Sequence, residues 1–153
     1  MKIKIDIDAG IQEEEIIIRC QELTPEIAKM QSVLSEVLNR KANIAFYKGD
    51  TRIYLPVEEI LFFETESDGI RAHTADDCFE IKYRLYELEE LLPRYFMRVS
   101  KSTILNTKRI FSIDRNLYAS STVTFRHTHK QVFVSRHYYK MLIEKLDEVR
   151  NSN

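Results

Sequence analysis

The chain has 153 residues, 44% of them hydrophobic, which is enough for one well-packed core but not for two large independent domains. No run approaches the roughly 18 consecutive apolar residues that a membrane-spanning helix needs, and the first eight residues alternate between charged residues and isoleucine where a signal peptide would have an apolar run. We therefore expect a soluble, cytoplasmic protein.

The net charge of −1, which by itself argues against a nucleic-acid partner, is distributed very unevenly. Residues 1–45 hold six Lys/Arg against eight Asp/Glu, residues 46–93 hold five against twelve, and residues 94–153 hold twelve against four. A basic C-terminal part is typical of a protein that binds a polyanion, because phosphates attract Lys and Arg and release counterions on contact. A solvated basic surface is the alternative, and charge alone does not decide between them.

Residues 1–43 are predicted to form a small strand-strand-helix segment for docking or dimerisation. Polar/apolar alternation over residues 2–8 predicts a strand with one buried face, and the β-branched run 16–20 predicts a second strand. Thr24 followed by Pro25 predicts the start of a helix. The apolar residues of this helix recur every three or four positions: Ile27, Met30, Val33, Leu34, Val37 and Leu38. A segment of this size cannot cover that stripe securely alone, so we expect it to dock on the rest of the chain or on a second copy.

Residues 44–150 are predicted to form a mainly antiparallel β domain. Short β-rich runs follow one another at roughly 8 to 12 residues, with polar turn sequences between them. Two helices interrupt the strands, one over residues 83–92 that stops at Pro93 and one over residues 136–149. The predicted fold class is therefore mainly β with short helices, α+β overall.

The sequence lacks the usual marks of an enzyme. With three glycines it has no glycine-rich phosphate loop, and no Ser or Cys lies in a recognisable nucleophile context. Its acidic pairs are adjacent in sequence, so their side chains diverge on a helix or strand and cannot act as a catalytic dyad. We expect no catalytic activity, no cofactor and no small-molecule substrate.

Histidines and cysteines do not predict a metal site. His127 and His129 would share one face of a strand, but no third ligand lies nearby, so an exposed strand face is the preferred interpretation. Cys20 and Cys78 lie in apolar runs without metal-binding spacing, and we expect both to be buried free thiols.

Residues 95–106 closely resemble the signature of the LytTR family of bacterial DNA-binding domains. They run aromatic-aromatic-x-Arg-Val-Ser-Lys-Ser-x-x-Leu-Asn. Residues 60–64 and 85–93 resemble the first core strand and the helix of that family, and residues 134–140 resemble its closing motif. The resemblance covers about residues 44–147.

The resemblance implies an elongated antiparallel β fold whose loops enter successive major grooves of double-stranded DNA, without a helix-turn-helix. It places Lys101 and Arg136 at base-reading positions on two loops that we expect to lie far apart, and either side chain can reach O6 and N7 of guanine. Solvated surface charge is the alternative role for both. The residues that flank these positions suit phosphate contacts and are Ser100, Ser102, His137 and Lys140.

Two positions depart from the family pattern. Ser100 stands where the family usually has His, so a contact made by an imidazole is missing. A third DNA-contacting loop of the family corresponds to residues 65–71, where Arg71 is the candidate contact. Glu64, Glu66 and Asp68 make this loop acidic, which would repel phosphate if the loop faced DNA squarely.

The first 45 residues are too short for the phosphate-receiver domain that often precedes domains of this family. The family also includes short standalone regulators that are often held in check by a small membrane protein. The resemblance therefore implies a partner without identifying it, with a small membrane-protein inhibitor as one candidate, and we expect a homodimer on paired DNA sites. A protein-interaction module is the alternative function, in which the basic part meets an acidic partner. A binder of single-stranded nucleic acid would need exposed aromatic residues, whereas Tyr and Phe here alternate with aliphatic residues as in a core.

Overall fold

The computed structural model describes residues 1–38 and 44–151, and these two stretches belong to two separate compact units. The elements of the first unit and then the second, in chain order, are α1 (Pro25–Leu38), β1 (Phe46–Lys48), β2 (Thr51–Ile53), β3 (Phe62–Glu66), β4 (Gly69–His73), β5 (Cys78–Ile81), α2 (Leu85–Leu91), β6 (Phe96–Arg98), β7 (Thr103–Asn106), β8 (Ile110–Asp114), β9 (Ser121–Phe125), β10 (Gln131–Val134) and α3 (Arg136–Asn151). No helix among the described residues is long and apolar enough to cross a bilayer.

The N-terminal unit has the predicted helix but not the predicted hairpin. α1 begins at Pro25, and the Thr24 hydroxyl accepts a hydrogen bond from Ile27 N at 3.3 Å, as the capping prediction required. Residues 1–24 contain no strand, so the predicted hairpin is wrong. The physical reason is that two isolated strands without a third strand or a helix packed on them are marginal in water. The alternating isoleucines of residues 2–8 are exposed, and so is Cys20, which corrects the expectation of a buried thiol.

The second unit contains a seven-stranded antiparallel sheet with the order β2-β1-β5-β4-β3-β7-β6. A smaller antiparallel sheet has the order β10-β9-β8, with a register shift between Ile110 and Ser112. The predicted fold class, mainly antiparallel β with short helices, is confirmed for this unit. Cys78 lies half-buried on β5, and His127 and His129 lie in the turn after β9 instead of on a strand.

The large sheet is buried on both faces, by two separate cores. On one face α2 packs against the sheet, and the buried side chains include Phe46, Phe63, Leu88 and Ile104. On the other face the small sheet and α3 cover part of the sheet, with Phe62, Leu105, Val123 and Leu142 among the buried side chains. Neighbouring residues of one strand therefore belong to different cores, as the two-residue period of a strand requires.

Strand β7 is the most completely enclosed element, because all four of its residues are buried. Its last residue, Asn106, is 1% exposed. The Asn106 side-chain amide donates to Ile60 O at 3.0 Å, and its Oδ1 accepts from Lys108 N at 3.0 Å. The backbone N of Asn106 also donates to Leu61 O at 2.8 Å. The asparagine that ends the sequence signature is thus a structural residue that joins the end of β7 to the segment before β3.

Replacing Asn106 with Ala should lower the free energy of unfolding by about 2 kcal/mol, since Ile60 O and Lys108 N would lose a partner inside the protein. Urea denaturation followed by circular dichroism measures this change. The control is Gln131→Ala at an exposed position of β10, which should change stability by less than about 0.5 kcal/mol. Equal stabilities of the two variants would show that the Asn106 hydrogen bonds are dispensable.

Candidate nucleic-acid interface

Two connections of the large sheet and the start of α3 lie together at one end of the domain. The β3–β4 turn and the loop 99–102 between β6 and β7 leave the same end of the sheet, because β3 and β7 pair antiparallel. Thr65 N donates to Ser102 O at 2.8 Å, and Ser135 N donates to Val99 O at 3.0 Å. The three segments therefore form one row, with loop 99–102 in the middle.

This arrangement brings Lys101 and Arg136 close together, and corrects the expectation that their loops lie far apart. A hydrogen bond joins Ser135 to Val99. Lys101 lies two residues after Val99, and Arg136 lies one residue after Ser135. At about 3.8 Å per residue step, the Cα atoms of Lys101 and Arg136 lie within roughly 20 Å. Successive major grooves are about 34 Å apart. Separation along the chain was misleading because the chain leaves this end of the domain through β7 and returns to it through β10.

Arg98 fixes the shape of loop 99–102. Its Nε donates to Ser100 O at 3.1 Å, one terminal nitrogen donates to Lys101 O at 2.6 Å, and the other lies 2.6 Å from Glu89 Oε1 on α2. A planar guanidinium can hold several acceptors at fixed angles, which a lysine ammonium cannot do. The Lys101 backbone is therefore restrained while its side chain remains exposed. The sequence signature contained this arginine, but its position alone did not reveal the restraining role.

The two serines of the loop bond to each other. Ser102 N donates to Ser100 Oγ at 3.2 Å, and the two hydroxyl oxygens lie 3.3 Å apart. Both residues are half-buried. Short hydroxyl-to-backbone bonds of this kind stabilise a tight turn. Each serine hydroxyl already makes a hydrogen bond within the loop. A phosphate contact from either serine would therefore use the hydrogen-bonding capacity that this hydroxyl has left.

The first turn of α3 presents cationic side chains at the same end. Arg136 is the first helical residue, and Arg136, His137 and Lys140 are exposed. The His137 ring packs edge-on against Tyr138, with the ring centroids 5.0 Å apart. Because the amino end of a helix carries partial positive charge, it adds to the attraction that Arg136 and Lys140 exert on an anion.

Lys101, Arg136 and Lys140 have no acidic partner within ion-pair distance among the described residues. Their charges are therefore not neutralised locally. Exposed cations on two adjacent segments, loop 99–102 and the start of α3, can bind a polyanion, and the long side chains can reach hydrogen-bond acceptors beyond its backbone.

Arg71 is in a different situation from these three cations. Its Nε lies 2.8 Å from Glu66 Oε2, and one terminal nitrogen donates to Asp68 Oδ2 at 3.0 Å. The hydrogen bond to Asp68 raises the pKa of Arg71 above its ordinary value. A contact between Arg71 and an external anion would therefore require these ion pairs to break.

A charged network lies beside Arg71, where β3 and β4 approach the turn after β9. Lys130 Nζ donates to Thr74 O at 2.9 Å and lies 3.3 Å from His73 Nδ1. Burial, and then the charge of Lys130, lower the pKa of His73. Burial, and then the charge of Glu66, raise the pKa of Glu64.

Glu64, Glu66 and His73 offer ligand atoms that lie within 4.8 Å of one another. A metal ion would nevertheless compete with two cations that are already present. Arg71 is paired with Glu66, and the ammonium of Lys130 faces the His73 nitrogen that would have to carry the proton when the other nitrogen binds a metal. The geometry favours a network of side-chain charges at this position over a metal centre.

Comparisons with known proteins agree with this fold. A profile of the LytTr DNA-binding domain matches residues 50–147. A Staphylococcus aureus (strain NCTC 8325) protein named as an uncharacterized HTH-type transcriptional regulator is 25% identical over 146 residues, 95% of this chain and 98% of the relative. A protein of strain MRSA252 with the same kind of name is 27% identical over 106 residues, 69% of this chain and 71% of the relative. The solved LytTr DNA-binding domain of a Bacillus cereus protein has a TM-score of 0.62 at 23% identity, and covers 68% of this chain and 96% of that one.

Arg98→Ala should loosen loop 99–102 without unfolding the domain. The amide of Ser102 is expected to exchange with solvent roughly tenfold faster, because two carbonyls lose a charged hydrogen-bond donor. Hydrogen-exchange mass spectrometry or NMR measures this rate, with the amides of β7 as the internal reference. Arg98→Lys should not restore slow exchange, whereas Glu89→Gln should have a smaller effect than Arg98→Ala. Unchanged exchange in Arg98→Ala would contradict the restraining role.

Proposed function

Because the chain belongs to the LytTR family of DNA-binding domains, we propose that it is a transcription regulator that binds specific sequences of double-stranded DNA. The observation that carries this proposal is the row of exposed, unpaired cations on loop 99–102 and the first turn of α3. These cations lie at one end of a rigid β framework, as expected for loops that contact DNA. Selection of bound duplexes from a random pool tests the proposal, and failure to enrich any sequence would contradict it.

Lys101 and Arg136 are the residues to which we assign base reading. Both are long cationic donors, and either can form hydrogen bonds with O6 and N7 of guanine in the major groove. His137 and Lys140 on the first turn of α3, with the hydroxyls of Ser100 and Ser102, are assigned to the phosphate backbone, which orients the protein without specifying sequence. Recognition by loops and one helix end fits the described residues better than a helix-turn-helix, since strands separate each helix from the next.

The row of segments sets the groove geometry of the proposal. We place Arg136 and Lys101 in one major groove, because the start of α3 and loop 99–102 are hydrogen-bonded neighbours, and the β3–β4 turn in the successive major groove. The acidic Glu66 and Asp68 weaken the turn as a phosphate contact, and Arg71 is engaged by them. Arg71 is therefore the weakest of the assigned contacts, and bending of the DNA around this end would bring the turn into reach.

The N-terminal unit is assigned to assembly. Val37 and Leu38 of the α1 stripe are 56% and 71% exposed, and Ile3, Ile5 and Ile7 are 82% or more exposed. Exposed apolar residues in such number mark a protein-interaction surface. We propose that the α1 stripe joins two copies, which would place two DNA-binding domains on paired sites.

The same surface favours a second candidate function, docking of an inhibitor or partner regulator. A small membrane-protein inhibitor is one candidate for this partner. Cytoplasmic location follows from the proposed DNA target in a bacterial cell. We assign the chain no catalytic role, cofactor or metal requirement, since its exposed cations and loops serve binding.

Lys101→Ala and Arg136→Ala should each lower specific DNA affinity and relax the preference at one base pair, at a cost of about 1 to 3 kcal/mol. Because the two loops are hydrogen-bonded neighbours, the double mutant should show a coupling energy of roughly 0.5 kcal/mol or more instead of simple addition. Affinities for a panel of singly substituted operators, measured by fluorescence anisotropy, give both quantities.

Lys108→Ala is the matched control for this series, because Lys108 follows the opposite end of β7 and packs over the Tyr95 ring. It should keep the wild-type base preference. Lys140→Ala should weaken all sequences alike and reduce the salt slope of binding by about one. If Lys101→Ala and Arg136→Ala behaved like Lys140→Ala, both residues would be phosphate contacts and the base-reading assignment would be wrong.

Replacing Leu34 and Val37 together with Asp should convert a dimer to a monomer, because two carboxylates would enter the apolar stripe of α1. Sedimentation velocity measures the mass in solution. Lys29→Asp is the control for an added negative charge on an exposed position of the same helix. A wild-type monomer, or a dimer that survives both aspartates, would exclude this helix as the dimer contact.

A further inference from the structure

The loop 115–120 between β8 and β9 lies next to the first turn of α3. Ser121, which directly follows the loop, pairs with Val134 of β10. Val134 is separated from Arg136 by one residue, so the loop and the start of α3 leave the small sheet at the same end. Neither the sequence signature nor the row of three segments includes this loop.

A side-chain contact also ties the loop to α3. The Arg115 guanidinium lies 4.9 Å from the centroid of the Tyr139 ring. Tyr139 is three residues after Arg136 and one before Lys140, so these three residues share one side of the helix. Arg115 therefore adds a fourth cation to the side of the domain that carries Arg136 and Lys140.

The loop is held in one conformation by its own hydrogen bonds. Asn116 Oδ1 accepts from Tyr118 N at 3.0 Å and from Ala119 N at 3.2 Å. Asn116 N donates to the hydroxyl of Ser121, which is 2% exposed, at 3.1 Å. An Asn side chain that accepts from following amides is a common way to fix a tight turn. Binding through this loop would therefore cost little conformational entropy.

The tip of this ordered loop carries two large apolar side chains that nothing in the second unit covers. Leu117 is 63% exposed and Tyr118 is 89% exposed. Exposure of both on a pre-shaped turn, beside an unpaired row of cations, marks a contact surface instead of a solvated loop.

We infer that Leu117 and Tyr118 form an apolar wedge that enters the minor groove of bound DNA beside the major groove contacted by Arg136. This inference rests on the proposed DNA-binding function. An exposed helix start with cationic side chains suits the major groove, and the next groove along the duplex is the minor groove. Apolar side chains that enter the minor groove partly unstack a base step and bend the duplex.

The charges around the loop favour DNA over a protein partner. Arg115 precedes the wedge, and Arg136 and Lys140 lie on the adjacent helix face, so the apolar tip is bordered by cations on the side toward α3. Asp114 is the nearest acidic residue along the chain and lies one position before Arg115, at the end of β8. An apolar tip bordered by cations matches the sugars and flanking phosphates of a minor groove.

The test uses the full chain and a duplex obtained by selection from a random pool. Tyr118→Ala, alone and with Leu117→Ala, should weaken specific binding roughly tenfold for each lost apolar contact with the bases. Fluorescence energy transfer between the duplex ends should report a smaller bend, and 2-aminopurine placed at the flanking base steps should lose the fluorescence increase that wild-type protein causes. Melting temperature should not change, because neither side chain is buried.

Phe111→Ala is the matched control, since Phe111 is a 59% exposed aromatic residue at the opposite end of the small sheet. It should bind and bend DNA like the wild type. If the Tyr118 and Leu117 variants bind and bend the duplex as the wild type does, the wedge is overturned while the DNA-binding function stands. If they leave DNA binding unchanged but alter the mass in sedimentation, the loop is a contact between copies. If wild-type protein selects no duplex, the proposed function fails as well.

Discussion

The fold depends on one strand pair that forms the shared wall of two hydrophobic cores. β3 and β7 lie side by side, and neighbouring residues on each strand face opposite cores: Phe62 and Leu105 face one, Phe63 and Ile104 face the other. Because both faces of this strand pair are buried, almost all of its apolar side-chain surface is removed from water. Each Å² of apolar surface buried in this way stabilises the fold by roughly 25 cal/mol. It also fixes the register, because a shift by one residue would exchange the two faces.

The candidate interface is built on the ends of that pair. Loop 99–102 ends where β7 starts, and Asn106 secures the other end of the strand inside the protein. Arg98 then holds the loop backbone against α2, so the position of the Lys101 backbone is set by the hydrogen bonds of a neighbouring guanidinium, while the Lys101 side chain stays exposed. The same principle applies to Arg136, whose helix starts one residue after Ser135 bonds to Val99. Rigid support of exposed contact residues reduces the entropy lost on binding.

Much of this fold could be predicted from short-range patterns, whereas the relative positions of its loops could not. Strand periodicity and turn residues predicted the antiparallel domain, and Thr24-Pro25 predicted the start of α1, because both depend on local chain geometry. The same alternation in residues 2–8 failed, since a strand also needs a partner that the local sequence does not supply. The short distance between Lys101 and Arg136 depends on where the small sheet packs. The ion pair of Arg98 depends on Glu89, which lies on a different element, α2. Such long-range facts leave no periodic trace in a single sequence.

Enclosure of β7 also limits how this protein can change over evolutionary time. Because the register of β7 is fixed by its buried faces, a residue inserted or deleted in loop 99–102 would have to be accommodated by the loop itself, where it would disturb the hydrogen bonds of Arg98 to Ser100 O and Lys101 O. New specificity in this loop is therefore expected to arise by substitution at constant length. The loop 115–120 is closed by side chains of Asn116 and Ser121 and leads into a smaller sheet, so its length can vary with less damage. Paralogues that diverge in their target sites should therefore share the spacing of the first loop and differ in the spacing of the second.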